Sequence, residues 1–360
     1  MEERVKKKRE WAAYVRRVTP YVPGEQPNET DMIKLNTNEN PYPPSPSVFE
    51  VHRNMDVADF SLYPELSAGS LTRSLANYHG ISDREVFVGV GSDDVLSLAF
   101  LTFFNSEKPI LFPDITYSFY PVWADVYRIS YECMPLRDDF TIEADDYQRE
   151  NGGIVIANPN APTSIGMPAL EIEKVIRANP GVVVIIDEAY VDFGGETVLP
   201  LIKQYDNLLV VRTYSKSRSL AGMRIGYAMG SEGLIQALND VKESINSYTM
   251  NTASIRIGIA SLGDEDYFQS TLQKVMDTRK RTKSALEQMG FDVKDSQTNF
   301  LFASHRTVAA EEIFEQLKRR HIYVRYFAKE RIKDYLRITV GTEVQMDRFL
   351  QAVREIIGTF

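Results

Sequence analysis

The chain of 360 residues contains a single cysteine, Cys133, so no intrachain disulfide can form and a reducing compartment such as the cytoplasm is expected. No apolar run approaches the roughly 20 residues that a membrane-spanning helix needs. The N-terminus also has no apolar segment of the kind that marks a signal peptide. These absences predict a protein that does not associate with a membrane.

Basic residues are also too few to dominate the charge. The chain has 41 Lys and Arg against 50 Asp and Glu, which gives a net charge of −9. This balance makes nucleic-acid binding improbable on electrostatic grounds, and no residue pattern predicts a metal site. Apolar residues make up 43% of the chain, and its length suffices for two domains, or for one large α/β domain with an appendage.

Prolines concentrate near the N-terminus, with seven of them between residues 18 and 48. This density excludes a helix there. We expect residues 1–48 to form an irregular arm that joins the smaller of two domains. Tyr21 and Asn38, within this arm, are residue types that often contact ligands.

Residues 85–100 predict a strand, a glycine turn and a helix. Ser92 is a natural N-cap for that helix, and Asp93 favours its first turn. The N-terminus of a helix that follows a glycine turn can bind a phosphate group. Ser92 and Asp93 are therefore candidate phosphate-binding residues.

The same segment comes close to the fingerprint of a dinucleotide-binding fold. Gly89 and Gly91 have the required spacing, but Asp94 stands in place of the third glycine. Asp114, further along the chain, has the character of a ribose-binding acid. This segment alone leaves two interpretations open, a nicotinamide-dependent enzyme and a simple helix cap.

Two apolar runs further along the chain have the character of buried parallel strands. Residues 182–186 precede Asp187, and residues 208–211 precede Lys216. Ligands of α/β proteins bind at the carboxyl edge of the sheet, where both polar residues would lie. Because strands and helices alternate, we predict a doubly wound, mostly parallel sheet over residues 49–245.

The last third of the chain has a different pattern. Residues 234–262 look helical and are expected to link two domains. Short strands and helices then predict a smaller α+β domain over residues 246–360. Arg325 and Arg337 lie at or near its strands.

The residues near Lys216 in the sequence suggest that it binds a cofactor. Ser215 precedes it, and Arg224 follows eight residues later. An amine in this position can form a Schiff base with an aldehyde cofactor, while a hydroxyl and a guanidinium hold the cofactor's phosphate. Tyr117 is a candidate for stacking on a flat cofactor, or else an ordinary core aromatic. Taken alone, a lysine such as Lys216 is more simply interpreted as a surface residue of a polar loop.

A set of motifs in a fixed order gives these residues a context. They are NENP at residues 38–41, YP at 63–64, GSDD at 91–94, NPNAPT at 158–163, DEAY at 187–190, SK at 215–216 and GMRIG at 222–226. Together they resemble the fold-type-I pyridoxal-phosphate aminotransferases, most closely the histidinol-phosphate aminotransferase family. The resemblance covers nearly the whole chain. The dinucleotide interpretation explains none of the later motifs.

The resemblance implies a role for each residue near the cofactor ring. Lys216 carries pyridoxal 5′-phosphate covalently and shuttles a proton, and Asp187 pairs with the ring nitrogen. Tyr190 hydrogen-bonds the phenolic oxygen of the ring, and Tyr117 stacks on its face.

One loop departs from the family's pattern. Residues 158–164 read NPNAPTS, where the family usually has NPNNPTG. Ala161 stands where the ring-contacting asparagine aligns, so that contact is predicted for Asn160 instead.

A second set of residues is predicted to bind the phosphate of the cofactor. By the resemblance, Ser92 and Asp93 at the helix N-terminus, Ser215 and Arg224 hold it. Tyr63 reaches the same phosphate from the partner subunit, which implies a homodimer.

The substrate is expected to meet a third set of residues. Arg337 matches the family's arginine for the substrate α-carboxylate, and Tyr21 and Arg325 match positions that recognise a substrate phosphate. Asn38 is also expected near the substrate. The implied reaction moves an amino group between histidinol phosphate and 2-oxoglutarate.

Three alternatives remain open on the same scaffold. These are an aromatic amino-acid aminotransferase, an enzyme like the threonine-phosphate decarboxylases, and a non-catalytic regulator that binds the cofactor. Such regulators usually carry a DNA-binding extension, which this acidic chain lacks.

Overall fold

The computed structural model describes residues 11–22, 24–27 and 31–359. Within that part the chain builds three sheets of seven, four and two strands. The parts of the predicted arm at residues 1–10, 23 and 28–30 lie outside the described residues.

The seven-stranded sheet is the centre of the fold. Its order is β2-β8-β7-β6-β5-β3-β4, and all of its strands are parallel except β8, which runs antiparallel between β2 and β7. All but one of these strands are apolar runs buried on both faces, and this is why they pair as a parallel sheet. The strands are β2 (Val86–Gly89), β3 (Ile110–Pro113), β4 (Tyr131–Met134), β5 (Gly153–Ala157), β6 (Val184–Asp187), β7 (Leu208–Thr213) and β8 (Gly226–Gly230).

Successive residues of these strands point to opposite faces, and each face packs on its own helices. Ile154 and Ile186 belong to one apolar cluster, whereas Val155 and Ile185 belong to the other. The sheet is therefore covered on both sides, and the predicted doubly wound α/β fold is confirmed. The first face carries α2 (Gly69–His79), α5 (Ala169–Ala178) and α7 (Thr252–Leu262), and the second carries α3 (Ser92–Phe103), α4 (Phe119–Tyr127) and α6 (Glu232–Ile245).

A smaller α+β unit holds the other two sheets. Its four-stranded antiparallel sheet has the order β12-β13-β10-β9, and Ile33 and Leu35 of the N-terminal arm join its core. The arm is attached by parallel pairing of β1 with β11. The elements are β1 (Ile33–Lys34), β9 (Phe291–Val293), β10 (Phe300–His305), β11 (Ile322–Tyr323), β12 (Arg325–Tyr326), β13 (Leu336–Thr339), α9 (Ala310–Lys318) and α10 (Glu343–Ile357).

Three consecutive helices lead from the large sheet to the smaller unit, and here one prediction is wrong. The helix expected over residues 234–262 is two helices, α6 and α7, because Asn251 caps α7 by accepting from the Ser254 N–H at 2.8 Å. Helix α7 packs on the large sheet through Ile255 and Ile257. The 24-residue α8 (Glu265–Gln288) follows, and α1 (Pro46–Arg53) lies between the arm and α2.

Among the described residues, no helix is both long and apolar enough to cross a membrane.

A buried ion pair ties together the ends of β6 and β7. The guanidinium of Arg212 donates from Nε and Nη2 to one oxygen of Glu188, at 3.0 and 2.8 Å. The other Glu188 oxygen accepts from the Val198 N–H at 2.7 Å. The Glu188 side chain is fully buried. This pair stands at the edge of the sheet where Asp187 and the loop to Lys216 begin, so it fixes the backbone on which those side chains depend.

Replacing Arg212 with Leu should destabilise the fold by about 3–5 kcal/mol, because Glu188 would remain buried without its cation. Adding Glu188→Gln should recover a large part of that loss, since the amide oxygen still accepts from Val198 while the charge is gone. Urea unfolding of the two variants measures this difference. A double variant no more stable than Arg212→Leu alone would show that the pair's charge is unimportant.

Candidate active site

The predicted cofactor residues meet at one edge of the large sheet. Asp187 is the last residue of β6, the loop after β7 carries Lys216, and Ser92 begins α3 just beyond β2. The carboxyl ends of parallel strands lie side by side, which brings these segments together. One cavity there is lined by Ser92, Asp93, Tyr117, Asp187, Tyr190, Ser215, Lys216 and Arg224.

One end of the cavity is built for an anion. Gly91 has a positive φ of 87°, which lets the chain turn directly into α3. A Cβ on Gly226 would lie only 2.2 Å from the Ser92 nitrogen, so a glycine there lets β8 approach the first turn of the helix. Arg224 lies over the same turn, with its Nη2 3.2 Å from Asp93 Oδ2. Helix N–H groups and a guanidinium thus converge, as a phosphate requires.

The buried carboxyl group of Asp187 lies at the other end of the cavity. Burial, together with the neighbouring acids Asp93 and Glu188, raises its pKa to about 6. Hydrogen bonds from the Tyr120 hydroxyl at 3.0 Å and the Ala189 N–H at 3.2 Å favour the ionised form. A protonated ring nitrogen would offset the cost of this buried charge.

Between these two ends lies the amine. Lys216 Nζ donates to the Thr37 carbonyl at 3.2 Å and sits 5.8 Å from the centre of the Tyr190 ring. The Tyr190 hydroxyl accepts from Asn38 Nδ2 at 2.9 Å. Tyr117 donates to Asp93 at 2.8 Å, so its ring is held beside the anion site. An amine, a phosphate site, a buried acid and a flat ring fit a phosphorylated pyridine aldehyde.

A second cavity adjoins the first through paired aromatic rings. Tyr21 stacks on Phe119 with centroids 4.1 Å apart, and its centroid lies 6.5 Å from that of Tyr117. Tyr21 lines this second cavity together with Arg325 and Arg331. Arg331 is already paired with Asp114 at 2.7 Å. Lys329 also lines it, as do the acids Asp114 and Asp125, so this cationic pocket carries three positive against two negative side chains.

Arg337 lies next to Arg325 on the neighbouring strand, since the two residues are partners in the pairing of β12 and β13. Both guanidiniums lie near the ring of Phe327, at 5.3 Å for Arg325 and 5.6 Å for Arg337. Arg337 donates from Nη2 to the Asn36 carbonyl at 2.8 Å, while its buried Nε has no partner among the described residues. Burial lowers the pKa of Arg337. A carboxylate ligand would satisfy that unused donor.

Asn160 does not have the geometry that its predicted role requires. Its carboxamide accepts from Thr116 at 2.8 Å and donates to the Ile115 carbonyl at 2.9 Å, both in the segment after β3, and it also donates to Thr163 of its own loop at 2.9 Å. Ala161 lines the cavity instead. These bonds hold the Asn160 side chain away from the cavity, and its assignment to the cofactor ring stays a prediction.

Arg337 lines neither cavity, and two further predicted residues, Asn38 and Tyr63, also lie outside them. Asn38 is buried and bound to Thr339 as well as to Tyr190, so it supports the site from behind. Tyr63 is 83% exposed and stacks on Tyr248 with centroids 4.8 Å apart. Its predicted place in the site of a partner subunit stays a prediction.

Sequence reasoning missed Tyr120, Phe327 and Thr37. Tyr120 follows Tyr117 by three residues on the same segment, a helical spacing that was available as a signal. Phe327 has alternating spacing with Arg325, which was also visible. Thr37 contributes a backbone carbonyl, for which a sequence gives no signal.

Replacing Asp187 with Asn should stabilise the protein without ligand, and more so at pH 8 than at pH 5. An aspartate with a pKa of about 4 in the unfolded chain and about 6 in the folded one costs stability above pH 6 and none below pH 4. The gain should therefore be greater at pH 8 by about 1–2 kcal/mol. Denaturant unfolding at the two pH values measures it, and Asp334→Asn, on the surface, should show no such difference. An equal gain at both pH values would contradict the buried-charge account.

Comparison with known proteins agrees with this geometry. The family profile described as "Aminotransferase class I and II" matches residues 30–353. Histidinol-phosphate aminotransferase from Clostridium acetobutylicum is 50% identical over 348 residues, covering 97% of this chain and 99% of that enzyme. The enzyme of the same name from Lactococcus lactis subsp. cremoris is 50% identical over 347 residues, covering 96% and 98%.

The fold agrees with that of a solved structure as well. Histidinol-phosphate aminotransferase from Sinorhizobium meliloti, in complex with pyridoxal-5′-phosphate, aligns with a TM-score of 0.83 at 24% identity and covers 91% of each chain. By the profile and the near-complete relatives, the chain belongs to the class I and II aminotransferase family.

Proposed function

We propose that this aminotransferase converts L-histidinol phosphate and 2-oxoglutarate into imidazole acetol phosphate and L-glutamate, a step of histidine biosynthesis, with pyridoxal 5′-phosphate as its cofactor. The observation that carries the proposal is the cationic pocket of Tyr21 and Arg325 beside the Lys216 cavity. Relatives of this name, 50% identical over nearly the whole chain, support it. The aromatic aminotransferase and the decarboxylase are not favoured.

The first cavity supplies what this cofactor needs. The α3 N-terminus at Ser92, with Ser215 and Arg224, would hold the phosphate, and Tyr117 would cover one face of the ring. Asp187 would pair with the ring nitrogen. When bound, the cofactor accepts the substrate's amino group and draws electrons from its Cα.

Lys216 then acts as the acid–base group of the site. Once its amine is released by the substrate, it can move a proton between the substrate Cα and the cofactor C4′. The Thr37 carbonyl, 3.2 Å from Nζ, holds the amine at the mouth of the cavity. Tyr190 would donate to the phenolic oxygen of the ring, and Asn38 holds its hydroxyl in place.

The two arginines of the four-stranded sheet, Arg325 and Arg337, would bind different parts of the substrate. Arg337, with its unused Nε, is suited to the α-carboxylate of glutamate. Arg325 and Tyr21 are suited to a phosphate that must later be released. We also propose that the chain has two domains, residues 49–245 and residues 1–48 with 246–360, and that the smaller one closes on the larger. Helix α7 packs on the large sheet, so the part of the smaller domain that moves would be the arm and the segment after residue 262.

Replacing Arg325 with Leu should lower kcat/KM for histidinol phosphate by about ten- to a hundredfold, because a charge-assisted hydrogen bond contributes roughly 1.5–3 kcal/mol. The value for glutamate should change little, because glutamate has no phosphate. Steady-state kinetics with both donors tests this. Arg331→Leu removes the same charge from the same pocket, but from a residue already paired with Asp114, so its effect on both donors should be small and equal. An Arg325 variant that penalises both donors equally would contradict the assigned substrate.

We propose further that the enzyme is a homodimer. Apolar side chains close in sequence to Tyr63 or to its stacking partner Tyr248 are exposed, namely Val57, Leu62, Leu66 and Ile245, at between 52% and 76%. Exposed apolar side chains that cluster on a surface often mark an interface. A second copy of the chain would cover these side chains and carry Tyr63 to the partner's phosphate site. The single thiol and the proposed biosynthetic role are consistent with a cytoplasmic location.

Mixing two inactive variants tests this shared site. If Tyr63 acts across the interface, Tyr63→Ala and Lys216→Ala each lose activity, and their heterodimer contains one intact site. Random reassortment should then restore about a quarter of wild-type activity, since half of the dimers are mixed and one of their two sites is complete. No recovery after verified subunit exchange would mean that Tyr63 serves its own chain or no site at all.

A further inference from the structure

Tyr120 makes a fully buried side-chain contact to the candidate site. It lies in the first turn of α4, is fully buried, and donates its hydroxyl to Asp187 Oδ2 at 3.0 Å. Aromatic rings surround it, with Phe112 at 5.9 Å and Tyr117 at 5.7 Å between centroids. The phenol therefore has little freedom to turn away from the carboxylate.

The chemistry of this phenol suits a permanent donor. Burial and the adjacent Asp187 raise the pKa of Tyr120 well above 10, so the hydroxyl keeps its proton at any working pH. A hydrogen bond to an ionised acceptor favours that ionised form. The other groups acting on Asp187 are the Ala189 N–H, which favours the charge, and Asp93 and Glu188, which oppose it. Among these groups, Tyr120 provides the only side-chain donor.

We infer that Tyr120 is a positioning residue that keeps Asp187 ionised and fixed in orientation toward the ring nitrogen of the cofactor. This inference rests on the proposed function for the cofactor, but not on the identity of the amino donor. Tyr120 touches neither substrate nor cofactor in this scheme. Its whole effect passes through the Asp187 carboxylate.

The consequence is specific to the chemical step. Without the hydroxyl, Asp187 holds its proton to a higher pH, and the ring nitrogen loses its charged partner. A neutral ring draws electrons from Cα less strongly, so kcat falls. Arg337 and Arg325 are unchanged, and KM should therefore stay nearly the same.

Tyr120→Phe in the cofactor-loaded enzyme tests this, with Tyr147→Phe as the matched control. Tyr147 is equally buried, and its hydroxyl has no partner among the described residues. For Tyr120→Phe we expect kcat with glutamate and 2-oxo-acid acceptor to fall about tenfold, and the cofactor dissociation constant to rise about tenfold or more. The acidic limb of the kcat–pH profile should move upward by about one pH unit, with KM for glutamate within threefold. Tyr147→Phe should leave all four quantities within about twofold of wild type.

A double-mutant cycle separates positioning from packing. Adding Tyr120→Phe to Asp187→Asn should change the cofactor dissociation constant by less than about twofold, because the carboxylate on which Tyr120 acts is already gone. An equal loss in both backgrounds, or an unchanged pH profile with reduced thermal stability, would overturn the inference and make Tyr120 a packing residue.

Failure of the proposed substrate gives a different result. A wild-type enzyme that binds pyridoxal 5′-phosphate and turns over glutamate, but not histidinol phosphate, contradicts the proposed reaction. The Tyr120 comparison is decided by cofactor affinity and by glutamate kinetics in either case.

Discussion

The buried negative charge of Asp187 is the constraint on which the candidate site depends. A carboxylate at the end of a central strand has lost its water, and burial is the largest of the causes that raise its pKa to about 6. The fold supplies a phenol and a backbone N–H as hydrogen-bond donors to this carboxylate. Under the proposed function, a protonated cofactor ring would add a cation on the cavity side, so that cofactor binding would also neutralise the buried charge.

The sequence predicted the parts of the site that follow from strand ends. Asp187 and Lys216 each come after an apolar run, and parallel strands bring such positions to one edge. The spacing from Lys216 pointed to Arg224, whereas only the family resemblance gave a role to Arg337, which lies far along the chain. The direction of the Asn160 side chain could not be predicted, because it depends on hydrogen bonds to the distant residues Ile115 and Thr116 as well as to Thr163, and not on spacing.

Other differences have equally local causes. The break between α6 and α7 comes from one capping residue in an otherwise helical composition, so periodicity alone could not reveal it. Tyr120 escaped notice because a buried tyrosine in an aromatic segment looks like core packing. Only the position of its hydroxyl, 3.0 Å from a carboxylate oxygen, distinguishes it from the surrounding rings.

The reversed strand β8 has a consequence for how such a site is assembled. A purely parallel sheet presents only the segments that leave its strands at the ligand-binding edge. Because β8 runs the other way, the residues that enter it arrive at that same edge, and Arg224 is one of them. The one antiparallel strand therefore brings the segment that precedes it to the ligand-binding edge, and no additional crossover helix is needed. If β8 were redesigned to run parallel to its neighbours, Arg224 would lie at the opposite edge of the sheet, away from the proposed phosphate site.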